Sequence, residues 1–179
     1  MHIDPIFIIA SALAIAVLLA SAATHKLRAP ARFAKQLADY QLLPEALVRP
    51  GARVMPLLEL TIAFALLVPV SRSWAALTAA GLITLYAAAI GINLRRGRRD
   101  IDCGCAGPDQ AQPLRPILLL RNSVLIALAL LASVVPLARD LNLFDGFVTI
   151  AASAVALLIY AAADGLLANS PLLLKLIGR

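Results

Sequence analysis

Five stretches of this chain are long and apolar enough to cross a bilayer, and any fold must be built around them. A spanning helix needs about 20 mostly apolar residues. Stretches 5–24, 54–70, 73–94, 116–138 and 143–168 answer to that description. They take up most of the 179 residues, leaving no room for a soluble domain beside them. Hydrophobic residues make up 61% of the chain and charged ones 15%, against about 45–50% and about 25% in soluble domains. The expected fold class is therefore all-α: a polytopic membrane helix bundle of about five transmembrane helices, one integral-membrane domain over residues 1–179. Two cysteines are too few for a disulfide scaffold. Ala20-Ser21-Ala22 resembles a signal-peptide cleavage site. No basic residue precedes the apolar run, however, and the run is too long, so the first stretch reads as a retained span.

The charges that remain are unevenly placed. Of 16 Lys and Arg residues, only Arg72 and Arg139 fall on one side of the spans. The rest flank the other side, in the loops after the first and third spans and in the tail. Basic residues collect on the cytoplasmic side. The N-terminus is expected outside and the C-terminus in the cytoplasm. Orientation and anionic lipid account for the net charge of +6, so nucleic-acid binding is not expected. Residues 31–47 carry Phe33, Leu37, Tyr40, Leu43 and Leu47 at helical spacing, which predicts an amphipathic interfacial helix. Residues 170–177 predict a second. Pro56, Pro69 and Pro136 are expected near helix ends, where a missing donor costs little. Trp74 reads as an interfacial anchor.

Both cysteines lie in one polar, turn-forming loop, Asp102-Cys103-Gly104-Cys105-Ala106-Gly107-Pro108. This is not the apolar setting of an inert buried cysteine. Gly104 permits the bend that a Cys-x-Cys ring would need. Such a ring is tight and easily reduced, which suits a redox pair better than a staple. Arg95, Arg96, Arg98 and Arg99 favour the thiolate, while Asp100, Asp102 and Asp109 oppose it. Three readings stay open for the pair: thiol–disulfide exchange, binding of a soft metal, or a turn without chemistry. No second cysteine pair completes a four-ligand site, and no metal site is assigned.

Ionisable residues inside spans default to functional candidates. His25, Lys26, Glu59, Arg121 and Asp164 all fall at the depth of the cysteine loop. The outer half of the bundle is expected to hold no ionisable side chain within its spans. Glu59 and Arg121 are expected either to form a buried ion pair or to serve the thiols. A carboxylate in apolar surroundings is a candidate proton acceptor. His25 is an alternative base. Asn122 can donate and accept within the bundle.

Several ordered features resemble the methylamine utilisation MauE family and its broader DoxX-like relatives. They are Ala22-Ala23-Thr24-His25-Lys26-Leu27, Tyr40-Gln41-Leu42-Leu43-Pro44, Pro56-Leu57-Leu58-Glu59-Leu60, Asn93-Leu94-Arg95-Arg96-Gly97-Arg98, Asp102-Cys103-Gly104-Cys105-Ala106-Gly107 and Arg121-Asn122. The Asp-Cys-Gly-Cys element is the most specific. The resemblance implies a multi-pass protein of the bacterial inner membrane. It further implies a part in maturing the periplasmic methylamine dehydrogenase, whose small subunit is disulfide-rich, and a thioredoxin-like periplasmic partner.

The expected mechanism is a dithiol–disulfide relay at Cys103 and Cys105, with Glu59 accepting a proton. His25, Lys26, Arg121 and Asn122 would stabilise thiolate or relay protons, and a membrane quinone is a candidate electron carrier. A non-redox anchor or chaperone, and a thiolate metal-binding protein, are the alternatives. The orientation puts the cysteines on the cytoplasmic face while the implied client is periplasmic. A loop folded back into the bundle would reconcile the two.

Overall fold

The computed structural model describes residues 3–103 and 112–176. Cys105 lies outside the described residues. Six helices form among them: α1 (Pro5–Arg28), α2 (Pro30–Asp39), α3 (Glu45–Leu67), α4 (Arg72–Arg95), α5 (Ile117–Ser133) and α6 (Leu143–Leu176). Four are long and apolar enough to span: Pro5–Arg28, Glu45–Leu67, Arg72–Arg95 and Leu143–Asn169 within α6. The fifth, α5, is apolar but has only 17 residues. At 1.5 Å per residue that is about 26 Å, a little short of a hydrocarbon core of about 30 Å. The all-α polytopic bundle expected from the sequence is the fold observed.

Several boundaries differ from the sequence expectation. α5 stops at Ser133 rather than running to 138, because Pro136 disfavours helix in the residue before it. The freed segment turns extended and pairs with the N-terminus, where Leu137 N–H donates to the Ile3 carbonyl at 3.0 Å. The expected helix over 31–47 is divided. Gln41 has φ 48°, Pro44 follows, and the chain restarts as α3 at Glu45. Because α3 begins so early, Pro50 and Pro56 lie inside it and not at its end, each removing one N–H from the ladder. Residues 170–176 form no separate helix but extend α6 to 34 residues, about 50 Å.

Small side chains make the core. Ala12, Ala16, Ala63, Ala76, Ala79 and Ala129 are buried where α1, α3, α4 and α5 meet, with Ile15, Ile62 and Leu66 filling between them. Without a hydrophobic drive inside lipid, close backbone approach through such residues holds helices together. Among the described residues, α6 makes close backbone packing with α1 alone. There Ser153 donates to the Ala10 carbonyl at 3.2 Å. A space is thus left between α5 and α6. Trp74, 76% exposed, stands in the first turn of α4, as an interfacial anchor should.

One end of the bundle is closed by charge, and Asp145, inside the expected fifth span, corrects the expectation that the outer half holds no ionisable side chain within its spans. Arg139, in the α5–α6 connection, donates to both Asp4 oxygens at 3.0 and 3.1 Å. It also donates to both Asp145 oxygens at 2.8 and 3.0 Å. Asp145 belongs to the first turn of α6, where it and Asn142 exchange backbone and side-chain hydrogen bonds at 2.9 Å. A reciprocal cap of this kind lets a carboxylate sit at a span's N-terminus, where the helix dipole favours it. Planar arginine suits two forks at once. Arg139→Ala is expected to lower the unfolding temperature in detergent, and Arg139→Lys to restore only part of the loss. The Arg139 guanidinium and the Ile6 N–H hold the Asp4 carboxyl below its ordinary 3.8. Stability from Asp4 is thus complete above that value and is lost as pH falls through the lower folded value. The gap between wild type and Arg139→Ala should be constant down to about that pH and shrink beneath it, as followed by thermal melts across pH.

Candidate functional site

Two polar clusters occupy the end of the bundle opposite Arg139. The first joins α1, α3 and α4. Glu59 is fully buried on α3, and its Oε1 accepts from Lys26 Nζ at the end of α1. The same oxygen accepts from the Tyr86 hydroxyl of α4 at 2.7 Å. The Lys26 ammonium lies over the Tyr86 and Phe33 rings, 4.9 and 5.1 Å from their centroids. Aromatic faces add to the screening of a cation that has left water. Among the described residues, Glu59 Oε2 has no hydrogen-bond partner, nor do His25 Nδ1 and Asn122 Nδ2.

The second cluster surrounds Cys103. The loop that carries it is zipped at its base. Cys103 N–H donates to the Gln112 carbonyl at 2.8 Å, and Leu114 N–H to the Arg99 and Ile101 carbonyls at 3.0 and 3.2 Å. Asp102 stands opposite Pro113 in an antiparallel bridge and accepts from Gln112 N–H at 3.1 Å. Helix α2 supplies an outer brace. Gln36 Nε2 and Arg32 Nη2 donate to Asp102 Oδ2 at 2.7 and 3.3 Å. The Tyr40 hydroxyl donates to the Cys103 carbonyl at 3.3 Å.

So anchored, Cys103 is 8% exposed and packs with Ile90, Ile101, Leu114 and Leu118. The loop base therefore folds against the bundle. Arg121 Nη2 lies 3.7 Å from Cys103 Sγ. Arg121 itself is held by Asp164 of α6 and by Gln112 Oε1 at 3.4 Å. Gln112 Nε2 donates to Asp164 Oδ1 at 3.3 Å. The Tyr160 ring centroid lies 5.9 Å from the guanidinium carbon. A guanidinium beside sulfur favours the thiolate, the form that attacks a disulfide.

This geometry corrects the expected Glu59–Arg121 ion pair. Glu59 pairs with Lys26, and Arg121 with Asp164. Hydropathy fixed their common depth but not their direction. α3 packs on α1, α2 and α4, whereas α5 packs on α1 and α4, so the two side chains have no shared interface. Of the expected thiolate partners, the structure brings Arg121 to Cys103 and commits Lys26 to Glu59. His25 lies in the last turn of α1 and Asn122 is buried on α5. The clusters are nonetheless neighbours. Tyr86 of the first stands one turn before Ile90, which packs on Cys103. Tyr86, Gln36 and Gln112 were not singled out by the sequence. For Tyr86 the available signal was a hydroxyl inside a span, which needs a partner. Among the described residues, no three His, Cys, Asp or Glu side chains are placed to hold a metal ion.

The family model "Methylamine utilisation protein MauE" matches residues 4–135. The chain is 42% identical over 163 residues to the "Methylamine utilization protein MauE" of Methylophilus methylotrophus, covering 90% of this chain and 86% of that one. It is 39% identical over 163 residues to the protein of that name from Paracoccus denitrificans, covering 90% and 88%. To the Paracoccus versutus protein it is 35% identical over 169 residues, covering 92% and 91%. No solved structure matches the chain. A helical bundle with Cys103 packed at one end, matched to its relatives over nearly the whole length of both chains, belongs to the MauE family.

Proposed function

We propose that this chain is a thiol–disulfide relay of the bacterial inner membrane, acting in methylamine utilisation through maturation of a periplasmic amine dehydrogenase subunit. The observation that carries the reading is the Arg121 guanidinium 3.7 Å from Cys103 Sγ, where the cysteine packs with Ile90, Ile101, Leu114 and Leu118. An inert cysteine has no use for a cation that must be brought out of water and paired. In the relay, a thiolate of the Cys103–Cys105 pair attacks a partner's disulfide sulfur and forms a mixed disulfide. The second cysteine then resolves it, leaving the partner reduced and the pair oxidised; the reverse sequence oxidises the partner. The partner is a thioredoxin-like protein or the immature dehydrogenase subunit. Glu59, with one oxygen unpartnered, takes the proton that a thiol gives up, with His25 and Asn122 as neighbouring polar groups at that depth. The N-terminus lies outside and the C-terminus inside, as the basic residues direct.

Trapping tests this reading. Cys103→Ser and Cys105→Ser, expressed singly in cells growing on methylamine, should each abolish active dehydrogenase. One of them should accumulate a mixed disulfide that runs as a larger band on a non-reducing gel and collapses with reductant. The compartment of the captured partner reports which face the loop serves. Two active variants with no adduct would leave an anchor or chaperone in place of a relay.

A further inference from the structure

We propose that the groove between α5 and α6 binds an isoprenoid quinone, with its head at Arg121 and its tail along the helices. The inference rests on the relay proposed above for its electron source, but not for its binding site. The two helices make no close backbone contact. The space between them, floored by Ala14 and Leu18 of α1, is a groove of about 430 Å³. That is within the range of about 300–1,000 Å³ of small-molecule sites. Its walls are apolar along Val124, Leu128, Leu157 and Ile159, with Arg121 and Tyr160 set among them toward the Ile117 and Leu167 end. Leu120, Val124 and Ile159 at its rim are exposed, so a lipid-soluble molecule can enter sideways from the bilayer.

Three observations select the occupant. First, the polar end is charge-balanced, because Arg121 is paired with Asp164. An anionic phosphate head would meet the Asp164 carboxylate as well as the guanidinium. A neutral head with carbonyl acceptors meets no such opposition. Second, an aromatic ring borders that end, suiting a flat conjugated head. Third, the guanidinium that lines the groove is the one 3.7 Å from Cys103 Sγ, so a single side chain borders both the groove and the sulfur. The reaction balances with these two reactants. The Cys103 and Cys105 thiols lose two protons and two electrons and form the S–S bond. The quinone gains both protons on its carbonyl oxygens and leaves as the hydroquinone.

The test uses the full chain in nanodiscs of phosphatidylethanolamine and phosphatidylglycerol, with an azido-ubiquinone photoprobe and decylubiquinone. Photolabel should map to peptides of α5 and α6 lining the groove, and excess decylubiquinone should compete it away. Ala156→Trp, which fills the groove, should cut labelling at least tenfold. It should also abolish dithiothreitol-driven reduction of decylubiquinone, followed by its ultraviolet absorbance, while mixed-disulfide trapping persists. Cys103→Ser should keep the label and lose the reduction. Label outside the groove, or label that phospholipid displaces as well as decylubiquinone does, would overturn the proposal and leave an acyl chain as the occupant. Groove labelling in a protein that traps no partner would sustain the quinone site and remove the relay instead.

Discussion

Arg121→Ala is expected to abolish dehydrogenase maturation and to destabilise the bundle together. Removing one member of a buried ion pair strands the other, at a cost of about 3–5 kcal/mol. Here the stranded group is Asp164, with a side chain 16% exposed next to an arginine 8% exposed. The chemical loss must be separated from the structural one. Arg121→Leu with Asp164→Leu removes both charges, and replacing a buried pair with apolar side chains is often neutral or better. This double variant should recover most of the unfolding temperature yet remain inactive. Its Cys103 should also react more slowly with maleimide at neutral pH than the wild-type thiol, because the Arg121 cation no longer favours the thiolate. Arg121→Lys should fold, but it cannot keep Asp164, Gln112 and the sulfur engaged at once. Maleimide kinetics across pH read the effect directly. Wild-type rates in the double variant would mean that Arg121 only joins helices.

Lys26→Met is expected to be the most destabilising single change at the other cluster. It leaves Glu59, 0% exposed, without its counter-ion and with Tyr86 as its hydrogen-bond donor. The loss should again be about 3–5 kcal/mol, read as a large fall in unfolding temperature or as failure to accumulate in the membrane. Lys26→Met with Glu59→Met should return stability toward wild type, since no charge is then stranded. Tyr86→Phe removes one hydrogen bond to a charged group and should cost about 1.5–3 kcal/mol. If the double Met variant folds and still matures the dehydrogenase, Glu59 holds helices together and takes no proton.

The sequence made the spans legible because hydropathy reports what a segment is dissolved in. It located α1, α4 and the apolar part of α6 within a few residues. It overran α5, because Val134, Val135 and Leu137 are as apolar as the helix they follow, and Pro136 outweighs their hydropathy. It also set the depth of Lys26, Glu59, Arg121 and Asp164 correctly. Pairing them needed azimuth, which requires knowing which helices touch. Asp145 escaped notice at the edge of a span because its partners, Asp4 and Arg139, come from distant parts of the chain. Gln112 and Gln36 were invisible for a different reason. An uncharged amide carries no signal until a neighbour gives it a task.

The zipped base of the cysteine loop separates two design problems within one protein. Hydrogen bonds between 99–103 and 112–114 fix the points where the loop leaves and re-enters the bundle. The two ends of the intervening segment are thereby held at a fixed separation. Closing a longer loop across it costs little, about 0.6 kcal/mol for each doubling of length. The residues between Cys105 and Gln112 can thus be lengthened, shortened or exchanged to suit a different client while the helices, their ion pairs and the Arg121 contact stay as they are. A lineage could retarget the protein by rewriting one short passage, and an engineer could graft such a passage from one relative to another.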